Sequence, residues 1–192
     1  MTESELLPPS REGEEDAAAS ARRASDAPSA LAVCYRRTRA RSLAIAAPLA
    51  VEDQVAQSMT DASPTKWHLA HTTWFFETFL LKPYAPGYMP FDAAYAYLFN
   101  SYYEAVGAQY PRARRGLLTR PTLARVHDYR AYVDDAMADL IAGADMAADP
   151  ARLSFLVRLG LNHEEQHQEL MLTDVKHLLA HNPLAPAPYG RR

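Results

Sequence analysis

Apolar positions recur with the spacing of amphipathic helices from Ala30 onward. No stretch shows the strict alternation of apolar and polar residues that marks a strand bounded by turns. Proline and glycine residues divide this pattern into segments, because proline stops a helix and glycine caps its end. The pattern predicts five helices, over residues 29–46, 63–81, 91–106, 122–142 and 149–181.

Two of these helices begin at a capping residue that is followed by proline. Ser63 precedes Pro64, and Asp149 precedes Pro150. A Ser or Asp side chain can accept a hydrogen bond from an N–H group of the first turn, and proline fits the first helical position. The last helix would then span about 30 residues, or about 45 Å. Long helices with short connections predict an all-α fold, a helical bundle.

Residues 1–28 differ from the rest of the chain in composition. They are rich in Glu, Ser, Ala, Arg and Pro, they contain no aromatic residue, and Leu6 and Leu7 form their only large apolar pair. Such a segment buries too little apolar surface to offset the entropy that ordering costs. We therefore predict a disordered tail over residues 1–28 and a bundle over residues 29–183.

Composition and charge narrow the class of protein. The 192 residues fit one domain, and the hydrophobic share of 48% is enough for a core. A formal net charge of −3 leaves no excess of positive charge to bind a phosphate backbone, so we expect no nucleic-acid partner. A single cysteine, Cys34, excludes an internal disulfide and suits a reducing compartment.

Hydropathy argues against a membrane partner. No apolar run approaches the roughly 20 residues that cross a bilayer. The start of the chain is acidic and lacks the apolar stretch of a secretory signal. We therefore expect a soluble, cytoplasmic protein.

Two histidines of the last predicted helix are candidate metal ligands. His163 and His167 are four residues apart, so both imidazoles lie on one face of the helix, where they can share a metal ion. An isolated pair with this spacing is more often two surface or capping histidines. Here the mid-helix position and the neighbouring apolar residues favour the metal site. A second pair, His177 and His181, lies about 20 Å along the helix and is too far away to join it.

A third ligand could come from the segment Trp67-His-Leu-Ala-His71 of the second predicted helix. His68 and His71 point within about 60° of one another, so helical periodicity cannot choose between them. Either could complete a three-histidine site between two helices, which is where bundles usually build metal centres. The alternative is one core histidine bonded to a backbone carbonyl and a second histidine exposed to solvent.

The segment from His163 to His167 also matches the H-E-x-x-H motif of zinc proteases, in which the Glu is the general base. That motif needs a third ligand downstream. Leu170 stands where the extended motif has glycine, and no acidic residue follows Asp174. The pattern therefore disfavours a protease.

The connection over residues 109–120 carries four arginines. A solvated loop is the ordinary interpretation of such a segment. The alternative is anion recognition, because the planar guanidinium group offers a rigid fork to carboxylates.

Four motifs of the chain resemble, in the same order, those of the ergothioneine-biosynthesis sulfoxide synthases, the EgtB or hercynine oxygenase family. The resemblance covers roughly residues 30–189 and is too extensive to arise by chance. The motifs are Ser58-Met-Thr-Asp-Ala-Ser-Pro-Thr-Lys-Trp-His-Leu-Ala-His-Thr-Thr-Trp-Phe-Phe-Glu77, Leu98-Phe-Asn-Ser-Tyr-Tyr103, Arg115-Gly-Leu-Leu-Thr-Arg-Pro-Thr122 and the segment 163–183.

The resemblance implies a DinB-like four-helix bundle that holds one non-haem iron ion, Fe(2+), through three histidines. The implied ligands are His71, and not His68, together with His163 and His167. Gln166 is similar to a family glutamine that helps position the histidine-derived substrate.

The resemblance also implies a role for the arginines of the connection. Arg112 and Arg115 are similar to a family Arg-x-x-Arg pair that holds the carboxylates of the thiol substrate, and Arg114 competes for the same role.

The implied reaction joins hercynine (trimethylated histidine) to γ-glutamylcysteine or cysteine with O2 and gives a sulfoxide. Three histidines alone would suit zinc as well as iron. A DinB-like zinc-dependent thiol transferase and a catalytically silent metal-binding module are therefore the alternatives.

Family enzymes continue into a second domain that resembles formylglycine-generating enzymes and supplies a catalytic tyrosine. Residues 184–192 are accordingly expected to begin a linker to such a domain, present in cis or in trans. The chain alone is expected to bind metal but to convert hercynine poorly.

Overall fold

The structure is a computed structural model that describes residues 29–101 and 107–190. Four long helices make up most of these residues. They are α1 (Ala30–Ala46), α2 (Thr65–Phe76), α3 (Leu123–Ala142) and α4 (Pro150–Ala180). No strand occurs within these residues, so the prediction of an all-α bundle is confirmed. The predicted tail, residues 1–28, lies outside the described residues.

Shorter helical segments connect the long helices. α2 continues without a break through a π-helical segment and a last α-helical turn. The remaining segments are brief helices or 3-10 turns. The short segments are Val51–Val55, Glu77–Leu81, Lys82–Tyr84, Tyr95–Leu98, Arg112–Leu117 and Ala144–Met146. No helix of the described residues is both long and apolar enough to cross a membrane.

One of the two predicted helix starts is confirmed and the other is wrong. The Asp149 carboxylate accepts a hydrogen bond from the backbone N–H of Arg152 at 2.9 Å and caps α4. By contrast, Pro64 occupies the cap position of α2, which has no side-chain cap. The hydroxyl of Ser63 instead accepts a hydrogen bond from Arg115 at 2.9 Å, so a tertiary contact has replaced the local one.

The helix predicted over residues 91–106 is also wrong in its described part. Only Tyr95–Leu98 is helical there, and residues 102–106 lie outside the described residues. The carbonyl of Phe99 faces the ring of His71, and the side-chain amide of Asn100 donates to the carbonyl of Gly107 at 2.9 Å. The Phe99 carbonyl thus finds its partner in a distant side chain and not in a helical turn.

α2 is the central helix of the bundle. It packs against α3 and α4, and all 12 of its residues are buried. A buried polar group needs a hydrogen-bond partner inside the protein. The hydroxyls of Thr72 and Thr73 donate to the carbonyl of Leu69 within α2, and the histidines find their partners outside this helix.

A buried ionic network joins α4 to the other helices. The Glu164 carboxylate accepts hydrogen bonds from Arg39 at 2.9 Å, from Arg130 at 3.0 Å and from the hydroxyl of Ser42 at 2.6 Å. Arg39 lies on α1 and also donates to Thr73 of α2 at 3.0 Å. The network therefore fixes the rotation of α4, and with it the direction of the histidines on either side of Glu164.

Candidate metal centre

Three histidines from α2 and α4 converge in the interior of the bundle. One ring nitrogen from each of His71, His163 and His167 lies within 4.8 Å of the other two. Within the described residues, no other set of three or more His, Cys, Asp or Glu side chains comes together in this way. The spacing of His163 and His167 predicts that these two converge, and His71 is the third member that the resemblance implies.

His71 is held rigidly by its surroundings. Its ring stacks between Trp67 and Trp74, with centroid distances of 4.6 and 5.5 Å. Its Nδ1 lies 2.6 Å from the carbonyl oxygen of Phe99. A carbonyl can only accept, so the proton is on Nδ1 and the Nε2 lone pair is left for a metal ion.

The two histidines of α4 meet His71 from the other side. The rings of His163 and His167 are one helical turn apart, with centroids separated by 4.6 Å. The Nε2 atoms of His71 and His163 face each other at 3.2 Å. Two ring nitrogens at this separation need a shared proton or a shared cation between them. Nδ1 of His163 is buried without a hydrogen-bond partner among the described residues, so Nε2 is the nitrogen of this ring that is engaged.

Burial keeps the three imidazoles neutral. It lowers the pKa of His163 to about 4. Burial, followed by the charge of neighbouring histidines, lowers the pKa of His71 and of His167 far below the ordinary value of 6.5. Neutral imidazole is the form that binds metal ions. The donor set therefore fits a divalent ion such as zinc or iron.

A cavity of about 260 Å³ adjoins the three histidines. The guanidinium group of Arg115 forms part of its wall and lies 3.3 Å above the centre of the Trp67 ring. The hydroxyl groups of Ser63 and Ser101 each accept a hydrogen bond from Arg115 at 2.9 Å and fix its plane. This arginine is only 3% exposed, so it does not belong to a solvated loop.

The 3-10 turn over Arg112–Leu117 decides which arginines reach the cavity. Residues three apart lie on the same side of a 3-10 helix. Arg112 and Arg115 accordingly both line the cavity, and Arg112 also donates to the carbonyl of Asp61. Arg114 is exposed and does not line it.

The model of the DinB superfamily matches residues 35–171, a span that contains all three histidines. The chain belongs to the DinB superfamily. No curated protein matches it as a relative. The family accounts for the helical fold, and the three-histidine group of this DinB-like domain could hold a metal ion.

His68 lies closer to the centre of the DinB-like domain than we predicted. The resemblance implied that His68 is not one of the three ligands, and in the alternative interpretation one of His68 and His71 is exposed to solvent. His68 is only 2% exposed, and its Nδ1 lies 2.8 Å from Nδ1 of His167. Its Nε2 lies 3.0 Å from the Oδ2 atom of Asp174. Both ring nitrogens of His68 thus have hydrogen-bond partners, His167 and Asp174. His68 therefore contacts His167 but is not part of the three-histidine group.

Glu164 cannot serve as the general base of a protease. Both of its carboxylate oxygens are bound inside the ionic network, and the side chain is fully buried. Burial alone would raise its pKa, but Arg39 and Arg130 outweigh that effect and lower the pKa to about 2. A carboxylate held in this way cannot activate a metal-bound water.

Gln166 lies on the exposed side of α4 and is not among the residues that line the cavity. Its proposed contact with substrate stays a prediction. The buried glutamine of this segment is Gln168, which donates to the carbonyl of Thr38 and to the hydroxyl of Ser42, each at 3.0 Å.

Two residues that the sequence analysis did not single out hold the 3-10 turn over Arg112–Leu117 in place. Gln57 donates to the carbonyl of Arg112 at 2.9 Å and accepts from the N–H of Gly116 at 2.7 Å. The ammonium group of Lys66 donates to the carbonyls of Leu118 and Pro121 at 2.7 and 2.9 Å. These partners are more than 50 residues apart in sequence, so no local spacing could reveal them.

Proposed function

We propose that the protein is the metal-binding domain of an iron(II)-dependent sulfoxide synthase of the EgtB type. Hercynine, a thiol and O2 would give a sulfoxide and water. A C–H and an S–H bond break, a C–S and an S–O bond form, and O2 takes up four electrons. The thiol would be γ-glutamylcysteine or cysteine. The observation that carries this proposal is the group of three neutral histidines beside a cavity with two arginines in its wall.

His71, His163 and His167 would hold the iron ion on one face. Three imidazole ligands leave positions of an octahedral ion open for substrates. Iron(II), when bound, would supply the O2 chemistry. The stacked rings of Trp67 and Trp74 and the carbonyl of Phe99 keep His71 oriented before any substrate arrives.

Arg112 and Arg115 would bind the carboxylates of the thiol substrate. Guanidinium groups pair with carboxylates through parallel hydrogen bonds. The burial of Arg115 strengthens such a pair, since little water screens it. Binding at this wall would direct the thiol sulfur towards the histidines that line the same cavity.

A partner domain belongs to the proposal. It would resemble formylglycine-generating enzymes and act in cis or in trans. Leu170 at the cavity wall is 41% exposed, and Arg112 is partly exposed, so this side of the cavity is accessible to a second domain.

A zinc-dependent thiol transferase is the second candidate function. Three neutral histidines are as suitable for zinc as for iron, and some members of the DinB superfamily are metalloenzymes. The choice of metal therefore separates the two candidates.

The experiment loads the chain anaerobically with iron(II) or zinc(II), then adds hercynine, γ-glutamylcysteine or cysteine, and O2. Mass spectrometry detects the sulfoxide, with and without the second domain of a two-domain homologue. We expect sulfoxide with iron and the second domain, and little with the chain alone. Absence of sulfoxide in every iron-loaded sample would contradict the proposal. Thiol transfer by the zinc-loaded chain would support the transferase instead.

Arg112→Gln tests the carboxylate site, with Arg114→Gln as its matched control. Loss of a charge-assisted hydrogen bond should raise the KM for γ-glutamylcysteine about 10-fold or more. The control should leave the KM unchanged, because Arg114 does not line the cavity. Equal KM values in the two variants would remove Arg112 from the substrate site.

A further inference from the structure

We propose that Asp174 and His68 are positioning residues that fix the ring of His167 with its Nε2 atom directed at the metal. The proposal rests on the three-histidine metal centre of the proposed function. It adds two residues that are not ligands and that the resemblance does not assign.

The chain of hydrogen bonds starts at Asp174. Its Oδ2 atom accepts from the backbone N–H of Ser63 at 2.8 Å and lies 3.0 Å from Nε2 of His68. A carboxylate oxygen can only accept from a ring nitrogen that carries a proton. The proton of His68 is therefore on Nε2.

The proton position on His68 determines that on His167. A neutral imidazole with its proton on Nε2 has a lone pair on Nδ1. Nδ1 of His167 lies 2.8 Å from this atom and must donate to it. The remaining lone pair of His167 is then on Nε2, and this atom is left to bind a metal ion.

The fold makes this arrangement rigid. His167 and Asp174 are seven residues apart on α4, so they lie on the same face two turns apart. His68 enters between them from α2 and is 2% exposed, and the side chain of Asp174 is 11% exposed. Little water competes for these bonds, and burial keeps His68 neutral by lowering its pKa.

The same carboxylate also connects the metal centre to the cavity wall. The backbone of Ser63 donates to Asp174, and the hydroxyl of Ser63 accepts from Arg115 at 2.9 Å. Asp174 thus holds both His68, which contacts His167, and Ser63, which orients the buried arginine. A hydrogen-bond partner behind a metal-bound histidine fixes its tautomer and raises its basicity.

The first test is made on the metal-free, unmodified chain. Long-range proton–nitrogen NMR near neutral pH reports which ring nitrogen of each histidine carries the proton. We expect the proton of His167 on Nδ1 and that of His68 on Nε2. A proton on Nε2 of His167 would overturn the proposal, whatever any variant does.

The second test measures metal affinity by competition with a chelator, using cobalt(II). His68→Phe retains a ring of similar size but removes the acceptor, so the dissociation constant should rise about 10–100-fold. His68→Gln offers a side-chain carbonyl to His167 and should regain part of that loss. His177→Phe is the matched control, because His177 lies on α4 with His167, contacts Ser58 and does not line the cavity.

The outcomes separate this proposal from the proposed function. If the unmodified chain binds cobalt(II) and His68→Phe binds it equally tightly, the positioning role is wrong and the metal centre stands. If the unmodified chain binds no metal, the centre itself is wrong. Should His68→Phe fail to fold, His68→Gln and the NMR measurement still decide the role of His68.

Discussion

At the scale of single residues, the candidate metal centre depends on imidazoles that stay neutral inside the protein. Phe99 supplies a carbonyl to His71, and in the arrangement that we propose His68 supplies an acceptor to His167. Each partner leaves one lone pair available for a cation. The same burial that keeps these imidazoles neutral makes their protonation in the folded chain costly, because a charged imidazolium would lose its hydration.

Acid should destabilise the metal-free protein through these histidines. The pKa of His163 falls from 6.5 to about 4 on folding. Between these values the unfolded chain binds a proton that the folded chain does not, so the free energy of unfolding must fall as the pH falls. His163→Gln should reduce the slope by up to about 1.4 kcal/mol per pH unit in this window. Urea unfolding of the metal-free chain at several pH values measures it, and an unchanged slope would contradict the pKa shift.

Two glutamates that are adjacent in sequence but differ in burial allow the stability of the ionic network to be tested. Glu164 is fully buried between two arginines, and Glu165 is exposed. Glu164→Gln should lower the free energy of unfolding by about 3 kcal/mol, because it leaves buried guanidinium groups without a countercharge. Glu165→Gln should change it by less than about 0.5 kcal/mol. Similar losses in both variants would show that the buried network does not stabilise the fold.

The ligands themselves were only in part predictable at this scale. The spacing of His163 and His167 indicates a shared helical face without any knowledge of the fold. The choice between His68 and His71 depends on the Phe99 carbonyl and on Asp174, which lie 28 and 106 residues away from their histidines. Periodicity carries no information about such partners, and only the resemblance favoured His71.

At the scale of the elements, the close approach of α4 to α2 brings the histidines together. Gly160 lies one turn before His163, at the point where α4 crosses the aromatic rings of α2. A Cβ atom at this position would lie 2.5 Å from Cε1 of Phe76 and 3.1 Å from Cε1 of Phe75. A glycine inside a helix costs stability relative to alanine. Gly160 is needed here because the two phenylalanine rings leave no room for a side chain.

Gly160→Ala should therefore destabilise the protein despite its better helix propensity. The Phe76 ring is fully buried and cannot move aside, so overpacking should cost about 1–3 kcal/mol. Gly143→Ala is the control, since its Cβ would meet only atoms at 3.6 Å or more. Denaturant unfolding compares the two, and equal stability of Gly160→Ala and the unmodified chain would contradict the packing described for α2 and α4.

The long helices were predictable because each combines a regular apolar pattern with proline, glycine or a capping residue at its ends. The helix predicted over residues 91–106 is wrong in its described part, where the carbonyl of Phe99 is directed at His71, 28 residues earlier in the chain, and the local pattern carries no sign of that partner. For residues 109–120 the sequence predicts either a solvated loop or an anion-binding segment, and it does not predict the 3-10 turn at Arg112. Its shape is held by Gln57 and Lys66, which come from earlier parts of the chain.

At the scale of the whole molecule, a DinB-like bundle surrounds a three-histidine group and a cavity with two arginines. The bundle brings together residues from both ends of the family match. Residues after α4 also contact the bundle, since the Tyr189 hydroxyl donates to the carbonyl of Ile45 at 3.0 Å. The proposed linker and second domain stay predictions, and so do the iron ion and the substrates.

The metal content of three purified chains tests the central claim most directly. The unmodified chain, His163→Ala and His177→Ala are loaded with iron(II) or zinc(II) under anaerobic conditions, dialysed and measured by elemental analysis. His163→Ala removes one of the three candidate ligands, whereas His177 lies on the same helix away from the cavity. We expect one metal ion per chain in the unmodified protein and in His177→Ala, and none in His163→Ala. Unchanged metal content in His163→Ala, or no metal in the unmodified chain, would contradict the account.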